Sequence, residues 1–264
     1  MTTLAAAPNR QTTAETLSDE VIASYRKNGF VHIPGILSPE EAAEFYDAAV
    51  ATMAALPKTS GRSIFDQYVN VWTQDEKMKH LTLHSNVAAV AERLAGVRLR
   101  LWHDQILTKA PHNNAATEFH QDQPYWPHTN SANPISAWIA LCDVPVEKGC
   151  MTFIPGSQRR TDLPPQSLSS ATSLMELAPD FVWSQRITVP LRAGDCTFHH
   201  GRCAHMATPN FTDDPRVAHV VIFTDADTVY SGKRHIVTDP LGLTEGDLLE
   251  GPLFPVVADY ALNR

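Results

Sequence analysis

Val97-Arg98-Leu99-Arg100-Leu101-Trp102-His103-Asp104-Gln105-Ile106-Leu107-Thr108-Lys109 marks the point where the chain changes character. Apolar residues fall at nearly every second position, the period of a strand whose successive side chains point to opposite faces. The alternation puts His103, Gln105, Leu107 and Lys109 on one face. Downstream come ISAWIALCDV (135–144), GCMTFIPGS (149–157), RITVPL (186–191), DCTFHH (195–200) and VAHVVIFTDA (217–226). These segments are short, rich in β-branched residues and divided by Pro, Gly and Asn, which predicts a β-sandwich or barrel.

The chain upstream reads differently. In LSDEVIASYRKNGF (17–30), Ser18 is an N-cap, Val21, Ile22 and Tyr25 share a helical face, and Gly29 is the stop. FVHIPGIL (30–37) is a short strand ending in a Pro-Gly turn. Ser38-Pro39-Glu40-Glu41 opens a second helix with a capping residue, an N-terminal proline and acids at the positive dipole end, running to about Leu56. A third helix is expected from Leu83 to Leu94, closed by Gly96. Helices and strands segregate along the chain, which disfavours a doubly wound α/β sheet. The expected fold is mainly β: a double-stranded β-helix (jelly-roll, cupin-like) core with N-terminal helices packed on it. Residues 1–16 are expected to be a flexible tail and 17–264 one domain. Its parts are a helical portion (17–96), the core (about 97–230) and a C-terminal extension (231–264) over the barrel or a neighbouring molecule.

Composition narrows the function. The 264 residues carry 21 Lys and Arg against 29 Asp and Glu, a net charge of −8, and are 43% hydrophobic. Such a chain buries a sizeable core and is not disordered as a whole. Without a Lys/Arg cluster, a nucleic-acid footprint is not expected. No apolar run approaches the ~20 residues of a membrane span. The Ala-rich start lacks a signal-peptide core, so a cytoplasmic location is the expectation. Cys142, Cys150, Cys196 and Cys203 form no CxxC pair and read as free thiols in the interior. Neither a heptad nor an apolar stripe chooses between monomer and homodimer.

Twelve histidines are many for this length, and several fall in two short segments. In EFHQDQPYW (118–126), His120 and Asp122 are two apart, which on an extended strand places both on one face. In GDCTFHHGRCAH (194–205), His199, His200 and His205 are three candidates for a further ligand. His199 and His200 are adjacent, so on a strand one faces inward and the other outward. Two His and one carboxylate with open positions suit non-haem Fe(II) and O2 chemistry. Zinc accepts the same set and makes hydrolysis the rival.

HQDQPYW, then Trp138 in SAWIAL, Gly149, IPGS, and the GD–FH–H–PN run followed by an Arg together resemble the phytanoyl-CoA dioxygenase family of Fe(II)/2-oxoglutarate oxygenases. The N-terminal GF-V-I-PG-LS-EE run is similar to the same family, so the resemblance spans roughly Leu17 to Asp225. It implies His120, Asp122 and His205 as iron ligands and catalytic centre, His205 being preferred because HMATPN (205–210) resembles the family's distal turn. It implies Arg216 as the clamp on the far carboxylate of 2-oxoglutarate, a geometry that a guanidinium serves better than an ammonium. Gln105, Trp138 and Thr208 are implied around the co-substrate, although Ala207 stands where the family more often has Ser or Thr. Tyr125, Trp126, Asn70 and Trp72 are the expected substrate walls. Fe(II), 2-oxoglutarate and O2 are the implied cofactors. A carboxylate at Asp122 favours hydroxylation or desaturation over halogenation, which needs that place for chloride. The acidic balance, with only Arg159-Arg160 and Lys233-Arg234 as basic pairs, points to a small free molecule more than to an acyl-CoA. Two alternatives stand beside this reading: a cupin-like metal enzyme that ignores 2-oxoglutarate, and a catalytically silent metal-binding jelly roll.

Overall fold

A computed structural model describes residues 11–62 and 64–257. Helices α1 (Asp19–Asn28), α2 (Pro39–Ala55), α3 (Glu76–Thr82) and α4 (Ser85–Ala95) precede most of the sheet, and a short α5 (Ser173–Leu177) lies in a later loop. Ser18 Oγ accepts from Val21 N–H, and Gly29 closes α1 in the left-handed region at φ 81°. At α2, Ser38 Oγ accepts from Glu41 N–H at 3.1 Å while Glu41 Oε2 accepts from Ser38 N–H at 2.7 Å, a reciprocal cap. Helix α3 is one that the sequence reading passed over. Asp75 caps it through Met78 N–H, and its seven residues are too short for a clear period.

The strands are β1 (Phe30–Ile33), β2 (Ser60–Arg62), β3 (Phe65–Val69), β4 (Leu99–Lys109), β5 (Thr117–His120) and β6 (Ile135–Ala140). They continue with β7 (Met151–Phe153), β8 (Ile187–Val189), β9 (Cys196–His200), β10 (His205–Ala207) and β11 (Arg216–Asp225). A seven-stranded sheet runs β1-β9-β6-β11-β4-β3-β2 and a four-stranded sheet β5-β10-β7-β8. Every pairing is antiparallel, and the two sheets form the jelly roll, with the N-terminal helices packed on the larger one.

The larger sheet is apolar on both faces. Leu101, Val221, Ile135 and Phe198 meet Ile22, Phe45, Leu81 and Val90 of the helices. Trp138, Ala140, Val220 and Ile222 face the interior with Met151 and Phe153 of the smaller sheet. The regular alternation in β4 breaks once. Ile222 pairs with His103 and Phe223 with Leu101, so Trp102 is an extra residue. This bulge turns both Trp102 and His103 toward the interior, which strict alternation forbids.

Two boundaries differ from expectation, and a third, left open between the barrel and a neighbouring molecule, is decided. The portion 17–96 is not purely helical, because β1, β2 and β3 join the seven-stranded sheet. Within the expected tail, residues 1–10 lie outside the described residues, whereas 11–16 are tied down. Thr12 N–H donates to Gly35 O at 2.9 Å, and Ala14 packs on the helical core. The extension beyond residue 230 lies on the barrel: Val237, Leu249 and Phe254 join the interior cluster, and Leu101 N–H donates to Pro255 O at 2.9 Å. Its end, residues 258–264, is outside the described residues. The four cysteines are free, three of them buried.

The turn before β9 locks the sheet to α2. Gly194 has φ +87°, and a Cβ there would lie 2.7 Å from Leu37 O, so only glycine fits. Asp195 next to it accepts from Gly35 N–H at 2.9 Å and Arg192 N–H at 3.1 Å, and pairs with His32 Nε2 at 3.0 Å. Burial by itself would raise this carboxyl, but His32 and the two amides outweigh it and hold it below its ordinary value. A depressed folded-state pKa gives stability that is complete above the ordinary carboxylate pKa and is lost as pH falls through the folded value. Asp195→Asn is therefore expected to cost about 1–3 kcal/mol at neutral pH. The deficit should shrink as denaturant melts are repeated into the acid range below pH ~3.9, the ordinary aspartate value.

Candidate metal centre and its cavity

Strand β5 and strand β10 meet with His120 directly opposite His205. Cross-strand partners hold their Cβ atoms about 5 Å apart, and the two rings lie 4.4 Å apart between centroids. Each ring is fixed through its other nitrogen. His120 Nδ1 is 2.7 Å from Glu118 O, and His205 Nδ1 is 2.9 Å from Cys203 O. A carbonyl only accepts, so both Nδ1 atoms carry a proton and Nε2 is the atom that each ring presents to a metal.

Asp122 completes the group by a route other than the one expected. β5 ends at His120, and Asp122 has helical φ −75° and ψ −46° at the head of a 3-10 turn over Gln123–Tyr125. Pro124 and the Tyr125 N–H bond to Asp122 O (3.0 Å) build that turn. The turn, rather than the pleat of a strand, brings Asp122 Oδ1 to 3.3 Å from His120 Nε2 and 3.9 Å from His205 Nε2. Donor atoms of the three residues all lie within 4.8 Å of one another, the one such group among the described residues. Burial would raise the Asp122 carboxyl, but the imidazoles of His205, His120 and His199 prevail and hold it well below the carboxylate range. Burial also lowers His205 to about 3. Two imidazoles and an ionised carboxylate on one side of a common point are the donor set of a facial-triad metal site.

Of the three histidines in the second segment, His205 stands in this group. His199 faces inward from β9 with Nε2 3.5 Å from Asp122 Oδ2. His200 faces outward, its Nε2 3.0 Å from Ala132 O, and its Nδ1 accepts from Arg202 N–H at 3.0 Å.

The triad opens into a cavity of about 470 Å³. Gln105, Trp138, Arg216, Tyr125 and Trp126 line it with the triad. Arg216 is buried at the start of β11, opposite Lys109 of β4. Its guanidinium stacks over Trp138, Cζ 5.2 Å from the ring centre, and donates to Leu107 O at 3.2 Å. Its Nε has no partner, and among the described residues no carboxylate pairs with it. Burial lowers Arg216 to about 10, and burial together with Arg216 lowers Lys109 to about 7. A buried cation without a counter-ion is costly, and this one faces a cavity end that would accept an anion. Gly149, at φ +80°, makes room for it: a Cβ there would lie 3.2 Å from Lys109 Cδ and 3.3 Å from Arg216 Nε. Gly149→Ala is expected to displace the guanidinium by a few tenths of an ångström. The variant should lower the melting temperature through ~1–2 kcal/mol of left-handed strain and weaken binding of any anion that the arginine holds, as calorimetry on wild type and variant would read.

Three expected site residues lie elsewhere. Thr208 Oγ1 donates to Val146 O at 2.8 Å and does not line the cavity, because its hydroxyl closes a loop behind Gly149. Asn70 is left-handed at φ 56° and turns the chain away at the end of β3. Trp72 accordingly packs in the helix-facing core, its backbone N–H on Asp104 Oδ2 at 3.0 Å. The wall from that side is instead Phe65, Gln67 and Val69 of β3, with Gln67 Nε2 donating to Gln105 Oε1. Also unforeseen are Leu168, from the loop after β7, and Arg234, His235 and Ile236, from the C-terminal extension. Alternation could have nominated Gln67 and Val69 once β3 was recognised. Nothing local in the sequence marks Leu168 or His235.

A model of the phytanoyl-CoA dioxygenase (PhyH) family matches residues 25–218. The chain belongs to that family. Among solved structures, this family member is similar to the non-heme alpha ketoglutarate dependent carbocyclase SnoK from nogalamycin biosynthesis. The two are 38% identical with a TM-score of 0.85, over 94% of this chain and 99% of that one. It is also similar to the epimerase SnoN, solved in complex with Fe3+, alpha ketoglutarate and nogalamycin RO (36% identity, TM-score 0.80, 90% and 97% covered). Mouse phytanoyl-CoA dioxygenase domain-containing protein 1 is 33% identical over 131 residues, 47% of this chain and 44% of the relative. The chain thus spans less than half the length of this curated relative.

Proposed function

We propose that the protein is a non-haem Fe(II)- and 2-oxoglutarate-dependent oxygenase that hydroxylates an unactivated C–H of a small molecule. The observation that carries this reading is one cavity with a two-His, one-carboxylate donor set and an uncompensated buried guanidinium. The donor set fits Fe(II), and Arg216 fits the far carboxylate of a dicarboxylic keto acid. When bound, the iron supplies O2-dependent C–H oxidation coupled to conversion of 2-oxoglutarate into succinate and CO2.

The protein contributes orientation and exclusion of water. His120 and His205, locked by the Glu118 and Cys203 carbonyls, present Nε2 without rotating. Arg216 and the Trp138 face beneath it fix one end of the co-substrate, and Gln105, steadied by Gln67, offers its amide along the same wall. Tyr125, whose hydroxyl donates to Gln166 O, and Trp126, packed on Gly201, enclose the side where the substrate enters. Among the described residues no helix is long and apolar enough to cross a membrane.

The likeness to a carbocyclase and an epimerase, each over a third identical, favours a second outcome at the same site. Ring closure would remove two hydrogens from the substrate and return no hydroxyl, whereas epimerisation would remove one hydrogen and return one to the opposite face from an added reductant. The first experiment is anaerobic addition of Fe(II) and then 2-oxoglutarate to the apoprotein, followed in the visible region. A weak charge-transfer band that needs both additions is expected. Iron binding without that band in the presence of 2-oxoglutarate overturns the reading and favours a metal enzyme of another type. With substrate in hand, the product's mass per succinate separates hydroxylation, ring closure and epimerisation.

A further inference from the structure

Away from Arg216, the cavity is bounded by two histidines that the metal does not use. His103 reaches it from the β4 bulge and His235 from the C-terminal extension, their rings 6.0 Å apart. Their hydrogen bonds fix opposite tautomers. His103 Nδ1 lies 3.1 Å from Asp104 O, and a carbonyl only accepts, so Nδ1 bears the proton and Nε2 is a bare acceptor. His235 Nδ1 accepts from Val237 N–H at 3.2 Å, so its proton sits on Nε2, a donor. Neither Nε2 has a partner among the described residues.

Both rings are held in place from behind. Trp102 packs against His235 with centroids 5.2 Å apart and stacks on Phe254 at 5.6 Å. Burial keeps both imidazoles neutral, His103 falling to about 3 and His235 to about 4, each also disfavoured by a neighbouring cation or imidazole. The nearby cations are already engaged: Lys233 Nζ donates to Pro124 O at 2.6 Å and Arg234 pairs with Asp239 at 3.1 Å. This end therefore offers one acceptor and one donor without free charge, between the apolar walls of Trp126, Ile222 and Ile236.

We propose that His103 and His235 form a substrate subsite selective for a neutral, hydroxyl-bearing ring compound, in which His103 Nε2 accepts from a substrate hydroxyl and His235 Nε2–H donates to a substrate oxygen. The proposal rests on the oxygenase reading for what happens next to the bound molecule, whereas the recognition itself needs only the two rings. An acyl-CoA or another polyanion meets two neutral rings and a cation already paired with Asp239 there, because the anion-binding end of the cavity is the one at Arg216.

The test uses the protein loaded anaerobically with Fe(II) and 2-oxoglutarate, and three fluorescent probes of one shape. These are 2,7-dihydroxynaphthalene, 2,7-dimethoxynaphthalene and naphthalene-2,7-disulfonate, titrated by anisotropy. The diol should bind about tenfold more tightly than the dimethoxy compound, which keeps oxygens for His235 but has no donor for His103. The disulfonate should bind worst. His103→Phe should erase the preference for the diol, and His103→Gln, which keeps an acceptor, should restore part of it. His235→Phe should weaken diol and dimethoxy compound alike. Equal binding of all three probes, no binding of the diol, or an unchanged preference in His103→Phe overturns the proposal. The iron and 2-oxoglutarate band is read in the same samples and should persist in all three variants. Its absence from the wild type would overturn the oxygenase reading separately, while the probe preference still reports on the subsite.

Discussion

His205→Ala is expected to abolish the Fe(II)- and 2-oxoglutarate-dependent absorption band and to reduce succinate formation by well over the ~10–100-fold typical of losing an outer-shell partner. The reason lies in how little else can substitute. His205 Nε2 is one of three donor atoms within 4.8 Å of one another. His199 is near, with its ring centroid 4.6 Å from that of His205, but its Nε2 is directed at Asp122 Oδ2 on the far side of the carboxylate. His200 faces away and is bonded to Ala132 O. A His200→Ala control should therefore retain the band, and its loss there would undo the assignment of the third ligand to His205. Asp122→Ala should behave as His205→Ala does, with one difference. Removing the carboxylate leaves His120, His199 and His205 without their shared anion, so the apoprotein itself should change stability in a melt.

Arg216→Ala is expected to weaken 2-oxoglutarate binding by about 30-fold or more while Fe(II) affinity stays close to that of the wild type. Truncating one partner of a buried, hydrogen-bonded charge pair costs about 2–5 kcal/mol, and about 1.4 kcal/mol is tenfold in affinity. Arg216→Lys should recover only part of this, since an ammonium lacks the planar fork that grips both carboxylate oxygens. The same residue makes an opposite prediction for stability. In the apoprotein the guanidinium is buried with one backbone acceptor and an unpartnered Nε. Arg216→Met should then leave the apoprotein as stable as the wild type or more so, because an apolar replacement of a buried charge is often neutral or stabilising. In the wild type, 2-oxoglutarate at about 100 times its Kd should add about 2.7 kcal/mol, and in Arg216→Met almost nothing. Equal stabilisation of both proteins by 2-oxoglutarate would show that Arg216 does not hold it.

Much of the fold could be read from residue order, because it rests on local rules, whereas the full metal group was implied by the family resemblance. Reciprocal capping at Ser38 and Glu41, the glycine stops at Gly29 and Gly96, and the two-residue period of β4 are short-range patterns set by backbone geometry. The misses have equally physical causes. Strict alternation fails at Trp102 because a bulge adds one residue to β4. Asp122 joins His120 through a proline-led turn rather than along a strand. Trp72 was expected at the cavity and lies in the helix-facing core, since the left-handed Asn70 reverses the chain between them.

The sequence by itself determined the helix caps, the β-rich core, and a histidine and a carboxylate two positions apart with three further candidate histidines for a metal, among which the family resemblance preferred His205. These depend on residue type and on neighbours a few positions apart. Tertiary structure alone decided which of three clustered histidines stands opposite His120, and that Arg216 is buried without a counter-ion. It also decided that His235, 132 positions from His103 in the sequence, shares a cavity wall with it. Those facts depend on strand register and on how a long C-terminal segment closes over the barrel, and such pairings between distant residues leave no periodic trace along the chain.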